Sequence, residues 1–135
     1  MARVLVIDDD ADIRDLVRAM LTQSGHDVVL AVDGEDGLRQ FPRQPFDLVI
    51  CDIFMPKKEG LETVKELRRL AADLPIITMS GSPPAGEGDA DTGRPDYLRM
   101  TATIGATATI AKPFKRDRLL AIVEECLATR ARPKR

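Results

Sequence analysis

Short apolar runs alternate along this chain with stretches in which apolar positions recur every three or four residues. The first run is "RVLVI", residues 3–7. Behind it, Ile13, Leu16, Val17, Met20 and Leu21 fall at i, i+3, i+4, i+7 and i+8, the spacing of an amphipathic helix. Gly25 stands where that helix should stop, as the left-handed residue past its cap. "DVVLAV" predicts a second strand, "DGEDGLRQF" a turn and short helix, and "FDLVICD" a third strand. Leu61, Val64 and Leu67 mark a third helix, and "LPIITMS" a fourth strand. "DYLRMTATIG" reads as a short fourth helix, with Pro95 near its start and Gly105 closing it, and "ATATIA" as a fifth strand. Leu119, Ile122, Val123, Cys126 and Leu127 mark the last helix.

Five strand–helix repeats, with central strands apolar throughout rather than alternating, suit a parallel sheet covered on both faces. The expected fold is α/β, a (βα)5 doubly wound parallel five-stranded sheet. Such sheets bind ligands beyond the carboxyl ends of their strands, where the order switches. The strand ends are where the polar residues stand: Asp8 and Asp9 after the first, Asp52 after the third, Ser80 at the fourth and Lys112 at the fifth. Helix capping accounts for Asp10. It does not account for a doubled acid before Asp10, an aspartate closing strand three and a lysine closing strand five.

Clustered carboxylates raise one another's pKa, so bringing them together requires a cation. Oxygen ligands without histidine or thiolate select magnesium or calcium over zinc, and magnesium takes few protein carboxylates and shares phosphate oxygens. A lysine there pairs with a phosphoryl oxygen or a carboxylate, and a serine hydroxyl with another phosphoryl oxygen. An aspartate beside the metal can act as nucleophile and form an aspartyl phosphate.

Composition narrows the classes further. The 135 residues, 44% hydrophobic and 31% charged, fit one domain with one core. No apolar run approaches the ~18 residues of a membrane span, and "MARVLVIDDD" is too short in its apolar part for a secretory leader. Cys51 and Cys126 lie in apolar segments without metal-ligand spacing, which reads as two reduced core thiols in a cytoplasmic protein. Residues 1–111 carry 12 basic and 19 acidic residues, net −7; residues 112–135 carry 8 basic and 3 acidic, net +5. Without aromatics among them, the basic residues read as a solvated helix face and tail, not as a nucleic-acid surface. His26 is the single histidine and reads as a surface turn residue.

The segments "VLVIDDD", "DGEDGL", "DLVICDIFMPKKEGLETVKELR", "LPIITMSGS" and "ATIAKPF", in this order, resemble the receiver domain of bacterial response regulators, the phosphorylatable module of two-component signalling. The resemblance covers residues 3 to 128 and implies the flavodoxin-like strand order 2-1-3-4-5. It implies a receiver domain over residues 1–128 and a basic tail over 129–135. It further implies that Asp52 accepts the phosphoryl group and that Asp9 binds Mg2+ directly, with Asp8 assisting, often through water. Asp52 itself and the backbone carbonyl of Phe54 complete the implied metal ligands. Ser80 contacts the phosphoryl group, Lys112 pairs with it, and the Lys112–Pro113 bond is cis. Met55, Pro56 and Gly60 shape the loop after the acceptor, the glycine allowing a positive φ.

The implied partners are a sensor histidine kinase or a histidine phosphotransfer protein and a downstream target protein, with no nucleic acid and no membrane. The chain is not an enzyme beyond its own phosphoryl transfer and dephosphorylation. The alternative is a receiver-like scaffold that acts by contact alone, without phosphorylation. A metal-dependent phosphatase also looks similar in "VIDDD", with Asp8 attacking and Asp10 as acid/base. Its motif continues with Thr or Val where this chain has Asp12, and it gives Asp52 no role.

The chain departs from the receiver pattern at three places. Thr109 stands where relatives carry an aromatic, and Phe54 is bulkier than is usual. The link from Ser80 to Gly105 is long, including "GSPPAGEGDADTGRP" (81–95), with four glycines and three prolines. Thr109 is too small to fill the space behind the hydroxyl residue, and its own hydroxyl should hydrogen-bond. The 81–95 loop and the start of the fourth helix are therefore expected to carry most of the response. "DADTG" within that loop lacks the remaining ligands of a calcium site.

Overall fold

The computed structural model describes residues 2–53, 59–80, 105–112 and 114–131. Five strands are present: β1 (Arg3–Ile7), β2 (Asp27–Ala31), β3 (Leu48–Asp52), β4 (Ile76–Ser80) and β5 (Ala108–Ala111). They form one parallel sheet in the order β2-β1-β3-β4-β5, as the resemblance implied. The helices among the described residues are α1 (Ala11–Gln23), α2 (Gly34–Gln40), α3 (Glu59–Leu70) and α4 (Arg116–Ala131), with a 3-10 turn at Phe41–Arg43. The helix expected over residues 96–105 falls outside them except for Gly105.

Because successive strand residues face opposite sides, the apolar runs feed two cores. Val4, Val6, Leu48, Ile50, Ile77, Met79 and Ile110 pack with Val17 and Leu21 of α1 and Leu119, Ile122 and Val123 of α4. Leu5, Ile7, Val49, Cys51 and Ile76 pack on the other face with Val64 and Leu67 of α3. Each such buried aliphatic side chain stabilises the fold by about 1.5–3 kcal/mol. Cys51 and Cys126 are both buried thiols, as expected.

Leu16 departs from expectation at 45% exposure. The buried stripe of α1 centres on Val17 and Leu21, and Leu16 sits one residue, about 100°, around the helix from it. Gly25 has the predicted left-handed backbone, at φ 90°.

The amino edge of the sheet is stitched by polar contacts. Arg3 Nε pairs with Asp27 Oδ2 at 3.0 Å, and the Arg3 N–H donates to Asp47 Oδ2 at 2.9 Å. His26 is buried, 8% exposed, not a surface residue. Its Nδ1 accepts from the Ala2 N–H at 3.2 Å, and its Nε2 lies 3.2 Å from Glu124 Oε2 on α4. The turn that carries it is covered by the chain's first residues and by a helix nearly a hundred positions away, which local sequence does not reveal.

Arg68, near the end of α3, engages all five of its N–H donors. Nε and Nη2 donate to the Gly105 carbonyl at 3.1 and 2.6 Å, and Nη2 also to Thr107 Oγ1 at 3.4 Å. Nη1 donates to the Ala71 and Ala72 carbonyls at 3.2 and 2.8 Å. Arg68 thus satisfies carbonyls just past α3 and ties that end to the chain entering β5.

Candidate functional site

The strand order reverses between β1 and β3, and their carboxyl ends carry the acids. Asp8 and Asp9 follow β1, Asp52 closes β3, Ser80 closes β4 and Lys112 follows β5. Backbone bonds hold these ends in line: Asp8 N to Ala31 O at 3.2 Å, Ile53 N to Met79 O at 3.1 Å, and Lys112 N to Ser80 O at 2.7 Å. Asp10 caps α1, its carboxylate accepting from the N–H groups of Asp12 (2.9 Å) and Ile13 (3.4 Å). The Asp10 N–H in turn donates to Asp8 Oδ1 at 2.9 Å. Arg14 Nη1 donates to the Asp8 carbonyl at 2.7 Å.

One carboxylate oxygen from each of Asp8, Asp9 and Asp52 lies within 4.8 Å of the others. Asp8 and Asp52 are buried, at 0% and 4% exposure, while Asp9 is exposed. Lys112 Nζ lies 3.0 Å from Asp8 Oδ2 and 3.4 Å from Asp52 Oδ2. Burial pushes the Asp8 pKa up; the Asp10 N–H pulls it down, the Asp52 charge pushes it up again, and Lys112 opposes the rise without cancelling it. Burial acts to lower the Lys112 pKa, but the charges of Asp52 and Asp8 and the bonds to both outweigh it and hold the ammonium charged. One lysine thus faces two of the three clustered carboxylates. A hard divalent cation fits that oxygen donor set.

Two further features shape the site. A Cβ at Gly60 would overlap the Asp52 carbonyl oxygen and Ile53 Cα, so α3 can begin this close to β3 only with glycine there. Its φ is not in the left-handed region, which corrects the expected role: the requirement is space. On β4 and β5, paired in register, the Thr78 and Thr109 hydroxyls lie 2.8 Å apart. Thr109 thus makes the hydrogen bond its small polar side chain predicted. Ser80, two residues beyond Thr78, is buried.

A family model, the response regulator receiver domain, matches residues 4–124. This chain belongs to that family. The receiver is 35% identical over 121 residues to the transcriptional regulatory protein DltR of Streptococcus agalactiae serotype III, covering 88% of this chain and 49% of DltR. It superposes on the crystal structure of NtrX from Brucella abortus with a TM-score of 0.83 at 32% identity, covering 96% of this chain and 27% of that one. On the chemotaxis protein CheY4 of Vibrio cholerae the TM-score is 0.80 at 30% identity, covering 93% of this chain and 98% of CheY4. The receiver therefore spans about half the length of the curated relatives it matches. Receivers of this family serve two-component signal transduction, in which histidine kinases phosphorylate them.

Of the residues expected to form the site, Asp8, Asp9, Asp52, Ser80 and Lys112 stand on one edge of the sheet. Phe54, Met55, Pro56, Pro113 and the 81–95 segment lie outside the described residues. Asp10 is occupied in capping, which leaves the phosphatase reading without its acid/base. Arg14 was missed by sequence reasoning. An arginine in the first turn of an amphipathic helix gives no signal that separates a solvated side chain from one reaching back to a strand end. Among the described residues no helix is long and apolar enough to cross a membrane.

Proposed function

We propose that this receiver accepts a phosphoryl group on Asp52 from a sensor histidine kinase or a histidine phosphotransfer protein. In this reading Asp9 ligates Mg2+ directly, Asp8 assists through water, and Asp52 and the Phe54 carbonyl are the remaining protein ligands. When bound, the cation supplies neutralisation of the charge on the transferring phosphoryl group. An Asp52 carboxylate oxygen forms the new O–P bond as the P–N bond of the donor phosphohistidine breaks, and the imidazole leaves with the bonding electrons. Lys112 and the Ser80 hydroxyl hold phosphoryl oxygens. The observation that carries this reading is the Lys112 ammonium set against both Asp8 and Asp52, within the cluster of three carboxylates.

The same reading assigns residues 1–128 to the receiver domain and 129–135 to a basic tail, in a cytoplasmic protein. Its chemistry is limited to gain and loss of its own phosphoryl group. Its output is phosphorylation-dependent binding of a target protein, not contact with nucleic acid; the transcriptional role in DltR's name belongs to that protein. With Mg2+ and acetyl phosphate as donor, the chain gains one acid-stable, base-labile phosphoryl group, and Asp52→Asn abolishes the gain. Undiminished labelling of Asp52→Asn overturns the assignment.

A further inference from the structure

Asp9, the carboxylate that the proposed function places on the cation, is exposed, so its aim depends on the backbone that carries it. Both flanking peptide groups are pinned. The one before it holds the Asp8 carbonyl, to which Arg14 Nη1 donates at 2.7 Å. The one after it holds the Asp10 N–H, which donates to Asp8 Oδ1 at 2.9 Å. Arg14 is itself anchored, because its backbone N–H makes a helical bond to the Asp10 carbonyl at 3.0 Å. The segment from Asp8 to Arg14 is therefore closed on itself, and Arg14 is the one long side chain in that closure. Holding it costs rotamer freedom, while the bond it makes goes to a backbone oxygen and not to any of the three carboxylates.

We propose that Arg14 is a positioning residue for the cation site. It fixes the peptide plane before Asp9 and so directs that carboxylate into the space it shares with Asp8 and Asp52. The inference rests on the reading of Asp9 as a direct ligand. Charge alone argues the opposite sign: a guanidinium near a cation site repels the cation, so removing it would tighten binding. A positioning role makes removal weaken binding.

The test is calorimetric titration of the full chain with MgCl2, together with amide exchange of the metal-free protein. Arg14→Met keeps the apolar stem and loses the donor. It should weaken Mg2+ binding about tenfold, the usual scale for a group that orients a metal ligand. It should also speed amide exchange at Asp10 without metal. Arg14→Lys, which retains a terminal donor, should recover part of both. Unchanged or tighter Mg2+ binding in Arg14→Met, while Asp9→Asn binds weakly, overturns this inference alone. Mg2+ binding indifferent to Asp9→Asn overturns it together with the assignment of Asp9. Should Arg14→Met not fold, Arg14→Gln, too short to reach the carbonyl, decides in the same way: weaker binding with faster Asp10 exchange supports the role, and wild-type values overturn it.

Discussion

At the amino edge of the sheet, Arg3, His26, Asp47 and Arg68 each meet a partner of matching chemistry; at the carboxyl edge, Asp8, Asp9 and Asp52 cluster, with one lysine set against Asp8 and Asp52. The amino-edge contacts close strand ends and helix termini, and most have a charge or donor set against a fixed acceptor. They stabilise the fold and leave nothing over. The carboxyl edge keeps an excess of negative charge in a buried place, which the fold tolerates because the apolar cores on both faces hold the strands. The difference separates polar groups that serve folding from those that serve binding. It predicts that substitutions at the carboxyl edge will change the response to magnesium and substitutions at the amino edge will not.

The largest effect is expected from Lys112→Met. Removing the ammonium leaves Asp8 and Asp52 buried without their counter-charge, a loss of about 3–5 kcal/mol in the metal-free protein. Urea titration with and without Mg2+ checks this, because the cation should restore much of the loss. A Lys112→Met protein as stable as wild type without metal would show that the cluster does not depend on this lysine.

Arg68→Ala comes next, at about 2–3 kcal/mol, because it strips donors from the carbonyls of Gly105, Ala71 and Ala72. Here magnesium should restore nothing specific: the stabilisation it gives should equal that in wild type. If Arg68→Ala instead abolished the response to Mg2+, the two edges would be coupled and the comparison would fail.

The smallest effect has the opposite sign. The folded-state pKa of Asp8 lies above its ordinary 3.8, so the folded protein binds this proton more tightly than the unfolded chain does. The linkage is absent below 3.8, where both states are protonated. It then subtracts stability progressively as pH rises from 3.8 towards the folded value, and the penalty is complete above that value. Asp8→Asn should therefore be slightly more stable than wild type without metal at pH 7, Lys112 keeping Asp52 as its partner, and should lose stabilisation by Mg2+. The gap should close as pH falls towards 4. Melting curves of both proteins between pH 4 and 7 decide it, since a gap constant with pH would assign the gain to something other than the Asp8 charge.

Much of the site was legible because a parallel α/β sheet converts position at a strand end into position in space. Once "RVLVI", "FDLVICD", "LPIITMS" and "ATATIA" are read as strands of one sheet, Asp8, Asp9, Asp52, Ser80 and Lys112 must share an edge. What the spacing left open was which partner the lysine takes. In the folded chain its neighbours are carboxylates, an arrangement that joins residues 104 positions apart.

The sequence by itself determined the elements governed by local rules: continuous apolar runs as buried strands, Asp10 as the cap of α1, and Gly25 as its left-handed stop. Tertiary structure alone decided that His26 is buried, that Leu16 faces out, that Gly60 is required for space, and that Arg14 and Arg68 reach backbone carbonyls. Capping and periodicity depend on residues a few positions apart, whose relative placement the backbone geometry already restricts. Burial of a turn, the clearance between a helix and a strand end, and the reach of a long cation depend on surfaces that only packing of the two cores brings together.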